Sequence, residues 1–368
     1  MKRHRSSMEP SKAALSVLLL LGVCAAGTSQ AQKYTVTPLP TIPGYTSPTG
    51  VGMNNAGVVV GTVEDPEGNS HAVEWINGKP IYLVNNTFPG SFSSAVAVNN
   101  QGDVIGNMRD SESGVFETGP NVDTGQSLDL GISVAAVSDT NVIVGIDAGH
   151  PVIWDGVDLS ERPNGGLPST ANAQSEFSQP LGINAAGVIV GIEFDDLPDG
   201  SSYPVAVRWQ PDPVTHSLAA TVEPLGGLGG ISSGASAVNA NGWVVGSATL
   251  GNKLTHAVLW EPTSRAFDLG TLHGKQSGAN GINAQGDIVG EAQTTRGDYH
   301  AVLWTHKHFT AIDLNTEISP SLAKQITLTS ASATNDRCMV LANGIDNKTG
   351  AQETFVLTLT DQSNCNQP

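Results

Sequence analysis

The chain has 368 residues, 39% of them hydrophobic but only 5% aromatic, and carries 34 Asp and Glu against 17 Lys and Arg. A formal net charge of −17 repels phosphate backbones and anionic lipid surfaces, so nucleic acid and membrane surfaces are excluded as expected partners.

The first 31 residues read as an export signal rather than as part of the fold. Lys2, Arg3, Arg5 and Lys12 form a basic head, and Ala13 to Val23 is an apolar run too short to span a bilayer. Ser29-Gln30-Ala31 supplies the small residues that precede a cleavage point, so the cut is expected after Ala31. Cys24 raises a lipoprotein alternative, which Val23 fits poorly. Residues 32–368 hold 13 basic and 33 acidic residues, net −20, and none of their apolar stretches approaches about 18 residues. The expectation is a secreted or periplasmic monomer with no membrane insertion.

Tyr34-Thr35-Val36-Thr37-Pro38-Leu39 is a lone strand pattern. After it one unit recurs. Asn54-Asn55-Ala56-Gly57 precedes Val58-Val59-Val60-Gly61, and His71-Ala72-Val73-Glu74-Trp75 follows. An Asn-x-x-Gly tetrad between apolar runs is a hairpin turn, because Asn caps the backbone and Gly takes the left-handed conformation freely. Later copies of the turn begin at Asn99, Ser138, Asn184, Asn239, Asn283 and Asn335. The cleanest copy runs from Ala237 to Gly270. It shows four apolar runs, the last being Phe267-Asp268-Leu269, and no helix signal. The spacings of 45, 39, 46, 55, 44 and 52 residues fit a four-stranded propeller blade.

The seventh copy stops after its third strand, Thr354-Phe355-Val356-Leu357, while the lone strand at Tyr34 stands where a fourth strand belongs. An N-terminal strand completing the last blade accounts for both features and hides the sheet edges. The predicted fold is an all-β propeller of seven four-stranded blades over residues 32–360, with 361–368 as a tail. Six blades is the alternative if the second or third copy is misread.

The phrases HAVLW, FDLGTLHG and GINAQGDIVG resemble the HAF-type extracellular repeat, a family of exported, mostly bacterial proteins. The resemblance covers about residues 33–360, with Val where that family has Phe and with eroded second, third and seventh copies. It implies export and a propeller-like β fold, and it implies no activity.

His71, His150, His256 and His300 share one repeat position, each four residues before Trp75, Trp154, Trp260 or Trp304. Four equivalent places around a ring suit a structural imidazole and a tryptophan packed between blades, with Asp129, Asp268 and Asp313 as candidate partners of the histidines. Gly230-Ile231-Ser232-Ser233-Gly234 matches G-x-S-x-G but falls between copies, without the strand-turn-helix context of a nucleophile. Acidic turns at Glu64–Gly68, Asp110–Glu112 and Glu193–Asp199 offer calcium a few oxygens. Asp195, Asp196 and Asp199 are the candidates, off the spacing of a calcium loop. Arg296-Gly297-Asp298 reads as a plain turn, and His306 and His308 share a strand face with no third ligand in view.

Cys338 and Cys365 form an even pair in an exported chain and are expected to be bridged, at a gain of roughly 3 kcal/mol. No residue is assigned a catalytic or cofactor role. The leading expectation is a non-catalytic binding or scaffold module for a glycan or another extracellular protein, with the insertions at Ser160–Gln179 and Phe194–Pro204 as its variable surface. A propeller-type glycosidase or polysaccharide lyase is the first alternative and a calcium-stiffened surface protein the second. No mature arginine can be placed beside a carboxylate from sequence.

Overall fold

The structure, a computed structural model, describes residues 34–83, 91–109, 113–119, 125–127, 132–155, 165–170, 178–197, 199–212, 217–218 and 221–365. The expected export segment with its cut at Ala31, Cys24, Asp129 and residues 366–368 lie outside them. Among the described residues no helix is long and apolar enough to cross a membrane.

The described residues form seven four-stranded antiparallel sheets, a seven-bladed propeller. Blades 1 to 6 cover residues 46–82, 92–127, 132–166, 179–224, 229–268 and 273–313, each with its four strands in sequence order. Blade 7 takes three strands from 326–359, and Tyr34–Pro38 pairs antiparallel with Gln352–Leu359 as its fourth. The lone N-terminal strand therefore closes the ring as expected. First strands of successive blades contact one another all the way round, blade 7 meeting blade 1.

The repeated sequence has a local reason at each step. In all seven turns the fourth residue has positive φ: Gly57, Gly102, Asn141, Gly187, Gly242, Gly286 and Cys338. The first residue seals the turn from its side chain. Asn54 Oδ1 accepts the N–H groups of Ala56 and Val58, both at 3.0 Å. Glycine recurs in the second strand for a different reason. A Cβ on Gly61, Gly106, Gly145, Gly191, Gly246 or Gly290 would fall on a carbonyl oxygen of the neighbouring first strand. That strand carries a one-residue bulge in every blade, at Val51, Val96, Ala135, Leu181, Ser236, Asn280 and Ser332. Blade 7 has Ala342 where the others have glycine, and the second register shift of its first strand, between Leu328 and Ser330, lies at least as close to that residue's pair as the second shifts of blades 1, 5 and 6 do.

Blades are joined by side chains that cross to a neighbour. Seven apolar clusters each span two adjacent blades, so the core is a ring of interfaces rather than one centre. Trp75, Trp154, Trp209, Trp260 and Trp304 are fully buried in them. Four of these donate Nε1–H to the chain leaving the preceding blade: Trp75 to Pro40, Trp209 to Pro168, Trp260 to Gly226 and Trp304 to Leu269. Ser93, Ser233 and Ser277 accept the N–H of Ala72, Ala206 and Ala257 of the preceding blade. The Cys338–Cys365 disulfide is present and anchors the chain beyond the last strand to the seventh turn.

Candidate functional site

The repeated histidines divide by what the fourth strand offers them. In blades 5 and 6, His256 Nδ1 lies 2.9 Å from Asp268 and His300 Nδ1 lies 2.7 Å from Asp313, as expected. His150 is exposed. Blade 1 departs from the pattern. Tyr82 faces Val73 there, the register that Asp268 and Asp313 hold against Val258 and Val302. His71 turns instead to Asp65 in its own hairpin, with Nε2 3.0 Å from Oδ2. Hydrogen bonds from His71 and Asn69 hold the Asp65 carboxyl well below the usual carboxylate range.

The channel mouth at the Asn turns is a cavity of about 280 Å³ lined by all seven blades at repeat positions. Asn54, Asn99, Asn184, Asn239, Asn283 and Asn335 each donate Nδ2–H to the carbonyl of the next blade's first turn residue. A second ring of side chains lies above them, where Asn55, Asn100, Asp139 and Asp336 cap neighbouring backbone N–H groups or amides. These groups are used up holding the ring together. The mouth is architecture.

A larger cavity, about 810 Å³, opens at the opposite end of the first strands, along the seam between blades 7 and 1. Here the repeat is broken on both sides. Glu353 occupies the histidine position of blade 7, opposite Gly344 as His71 is opposite Val63. Thr354 stands at the position of Ala72 and Ala257. Its hydroxyl donates to Asn343 Oδ1 at 2.8 Å and accepts the N–H of Gly50 at 3.3 Å, tying the two blades together beneath the groove. Blade 1 contributes Glu64 and the incoming segment 41–49, in which Tyr45 forms one wall. The Tyr45 ring meets both His71 and Tyr82 edge-on, with centroids 5.4 and 5.3 Å away. Burial and the Tyr45 hydroxyl together push the Tyr82 phenol well above its ordinary range, and Tyr82 remains 40% exposed beside the groove. Hydroxyl and amide side chains such as Thr49, Thr329, Asn343 and Gln352 supply the rest, and among the described residues no Lys or Arg lines it. Such a mixture of aromatic wall, hydroxyls and carboxylates can hold a polar ligand with apolar faces.

Other sequence candidates fall elsewhere. Gly230–Gly234 lies within the first strand of blade 5, Gly229–Val238, not in a connector. Its Ser232 is held by Thr249, whose hydroxyl accepts the Ser232 N–H and donates to the Ser232 carbonyl. Asp195 and Asp196 are successive strand residues paired with Tyr203 and Ser202 and so point to opposite faces, while Asp199 caps Ser201. Among the described residues no three His, Cys, Asp or Glu side chains are grouped to hold a metal. Arg296–Asp298 is a β-turn closed by Gly297 N–H to Thr294. His306 and His308 sit in a turn rather than on a strand, and His306 binds Asp287 at 2.8 Å.

One arginine does sit beside a carboxylate. Arg208 is buried, binds Glu223, and reaches the Pro262 carbonyl and Ser264 of blade 5. The insertion at Phe194–Pro204 is a longer hairpin of blade 4. Of the one at Ser160–Gln179 only 165–170 and 178–179 are described. The seam groove carries no repeat signal in the sequence, since it shows only as Glu for His at 353 in the worn seventh copy and, beside the groove, as Tyr for Asp at 82 in the first.

No protein-family model matches the chain, and no curated protein matches it in sequence. Among solved structures, the chain resembles the β-propeller domain of the Trilobed protease from Pyrococcus furiosus at a TM-score of 0.56 and 12% identity, over 88% of this chain and 99% of that one. That domain is described as having an open velcro topology. Here the last blade is closed by the pairing of Tyr34–Pro38 with Gln352–Leu359. A weaker likeness, TM-score 0.40 at 13% identity over 92% and 99% of the two chains, is to the GH93 α-L-arabinofuranosidase of Fusarium graminearum. Both identities are low, and the first likeness supports the propeller fold.

Proposed function

We propose that the protein is an exported binding module of the HAF-type repeat kind, and that it holds a glycan in the groove between blades 7 and 1. One observation carries the reading. The groove is where Glu353, standing in place of the repeat's histidine, meets Glu64 and Tyr45 around a cavity of saccharide size, with Tyr82 packed against Tyr45. Sugar hydroxyls pair with its hydroxyl, amide and carboxylate side chains, while a pyranose C–H face packs on the exposed part of an aromatic wall. Calorimetric titration of residues 32–368 with a panel of soluble oligosaccharides tests this. One oligosaccharide should bind, and Tyr45→Ala should weaken it at least tenfold; unchanged binding in that variant would remove the groove from consideration.

A glycosidase is the second reading, favoured by the presence of two carboxylates, Glu64 and Glu353, in one groove. Release of reducing sugar from the bound oligosaccharide, lost in both Glu64→Gln and Glu353→Gln, would establish it. A polysaccharide lyase fits less well, because among the described residues no Lys or Arg lines the groove to meet a uronate carboxylate.

A further inference from the structure

Resting on the glycan reading, we infer that the groove selects an amine-bearing glycan, a chain of de-N-acetylated amino sugars. Its charge has one sign only. Glu64 ends the second strand of blade 1, and Glu353 lies near the start of the third strand of blade 7, so carboxylates enter from both walls. Among the described residues neither carboxylate is hydrogen-bonded or ion-paired. The acids in the two adjoining turns are already engaged. Asp65 holds His71 and Asn69, and Asp346 accepts the N–H groups of Lys348 and Thr349 with the Lys348 ammonium nearby.

Each class of sugar meets this groove differently. A uronate or sulfated chain would add negative charge to two carboxylates on residues 32–368, which carry a net −20, and that is repulsive. A neutral sugar offers its hydroxyls to both carboxylates but no opposite charge, so it offsets their desolvation less fully. An amino sugar brings an ammonium to each carboxylate as a charge-assisted hydrogen bond and keeps the ring face that Tyr45 can pack against. The sequence register agrees, since Glu353 replaces the histidine that blades 1, 3, 5 and 6 keep at this position.

The test is calorimetric titration of residues 32–368 at low salt with the β-1,4-linked tetramers of glucosamine, N-acetylglucosamine and glucose, and with tetralysine. The glucosamine tetramer should bind at least tenfold tighter than the other two sugars and lose affinity as salt is raised. Glu64→Gln/Glu353→Gln should abolish that preference, with the fold checked by circular dichroism. Equal or tighter binding of the acetylated or neutral tetramer would overturn the inference while leaving glycan binding intact. Tetralysine binding as tightly as the glucosamine tetramer, or glucosamine binding unaffected by Tyr45→Ala, would overturn it in favour of unspecific attraction to an acidic surface. No binding of any tetramer would overturn this inference, while the glycan reading falls only if the whole oligosaccharide panel also fails to bind.

Discussion

Asn335 Nδ2 donates to the carbonyl oxygen of Asn54 at 3.0 Å, joining the seventh turn to the first across 281 residues of chain. The same contact links the other Asn-bearing turns to their successors, so a residue that looks like a turn former is also a bolt between blades. Only Ser138 breaks the series. Its hydroxyl caps Val142 and meets Thr140 and is too short to reach blade 4.

Ser138→Asn is therefore expected to stabilise the propeller by about 1 kcal/mol, the net worth of one buried hydrogen bond. In the opposite direction, Asn335→Ala removes the bond to Asn54 and the caps on Arg337 and Met339, at a loss of about 2–4 kcal/mol. Urea unfolding of the two variants beside the wild type checks both signs.

Reduction of the Cys338–Cys365 bridge, which closes a separation of 27 residues, should cost about 3.5 kcal/mol in the chain-entropy model. Cys338 sits at φ 55°, in the left-handed turn position that glycine fills in other blades. Cys338→Gly/Cys365→Ser should thus recover up to about 1 kcal/mol relative to Cys338→Ser/Cys365→Ser, because glycine adopts that φ without strain. Thermal melts of the two double variants under one redox condition make the comparison.

Gly246→Ala places a methyl on the Gly234 carbonyl and should destabilise by about 3 kcal/mol or prevent folding. Ala342 of blade 7 occupies the equivalent place beside its second bulge. Ala342→Gly should therefore cost only about 1 kcal/mol, from lost packing and added chain entropy. A loss in Ala342→Gly as large as that in Gly246→Ala, read by urea unfolding, would overturn this contrast.

Two carboxylates should tilt the pH profile in opposite directions. Hydrogen bonds from His71 and Asn69 depress Asp65, so its contribution is present above the unfolded value near 4 and is lost as pH falls. Asp65→Asn should flatten the acid limb of stability against pH. Burial raises Glu291, against the lowering by Asn280, so stability declines as pH climbs from about 4 through its folded value. Glu291→Gln should gain over the wild type at pH 7 and match it near pH 3. Denaturant midpoints from pH 3 to 8 give both curves.

Much of the fold was legible in the chain because turn chemistry is local. Asn followed by Gly three residues on fixes a hairpin by itself, and the missing fourth strand of the seventh copy pointed to Tyr34–Pro38. What escaped notice were features that act across blades. The serines at 93, 233 and 277 carry no local signal, since their partners lie 20 to 27 residues earlier. The strand containing Ile231 reads in sequence as a connector for a related reason. Innermost strands extend well beyond their apolar ends, and their polar halves look like loop.

The sequence alone determined the blade period, the turn geometry and the way the ring closes, because each depends on contacts within one hairpin or on a count of strands. Only the tertiary structure decided where the chain departs from its own pattern to chemical effect. Glu353 lies about 300 residues from Tyr45 and Glu64 and joins them in one groove only when blade 7 closes against blade 1. A groove built at a ring's seam has no signature in any single repeat, since neither blade contains it.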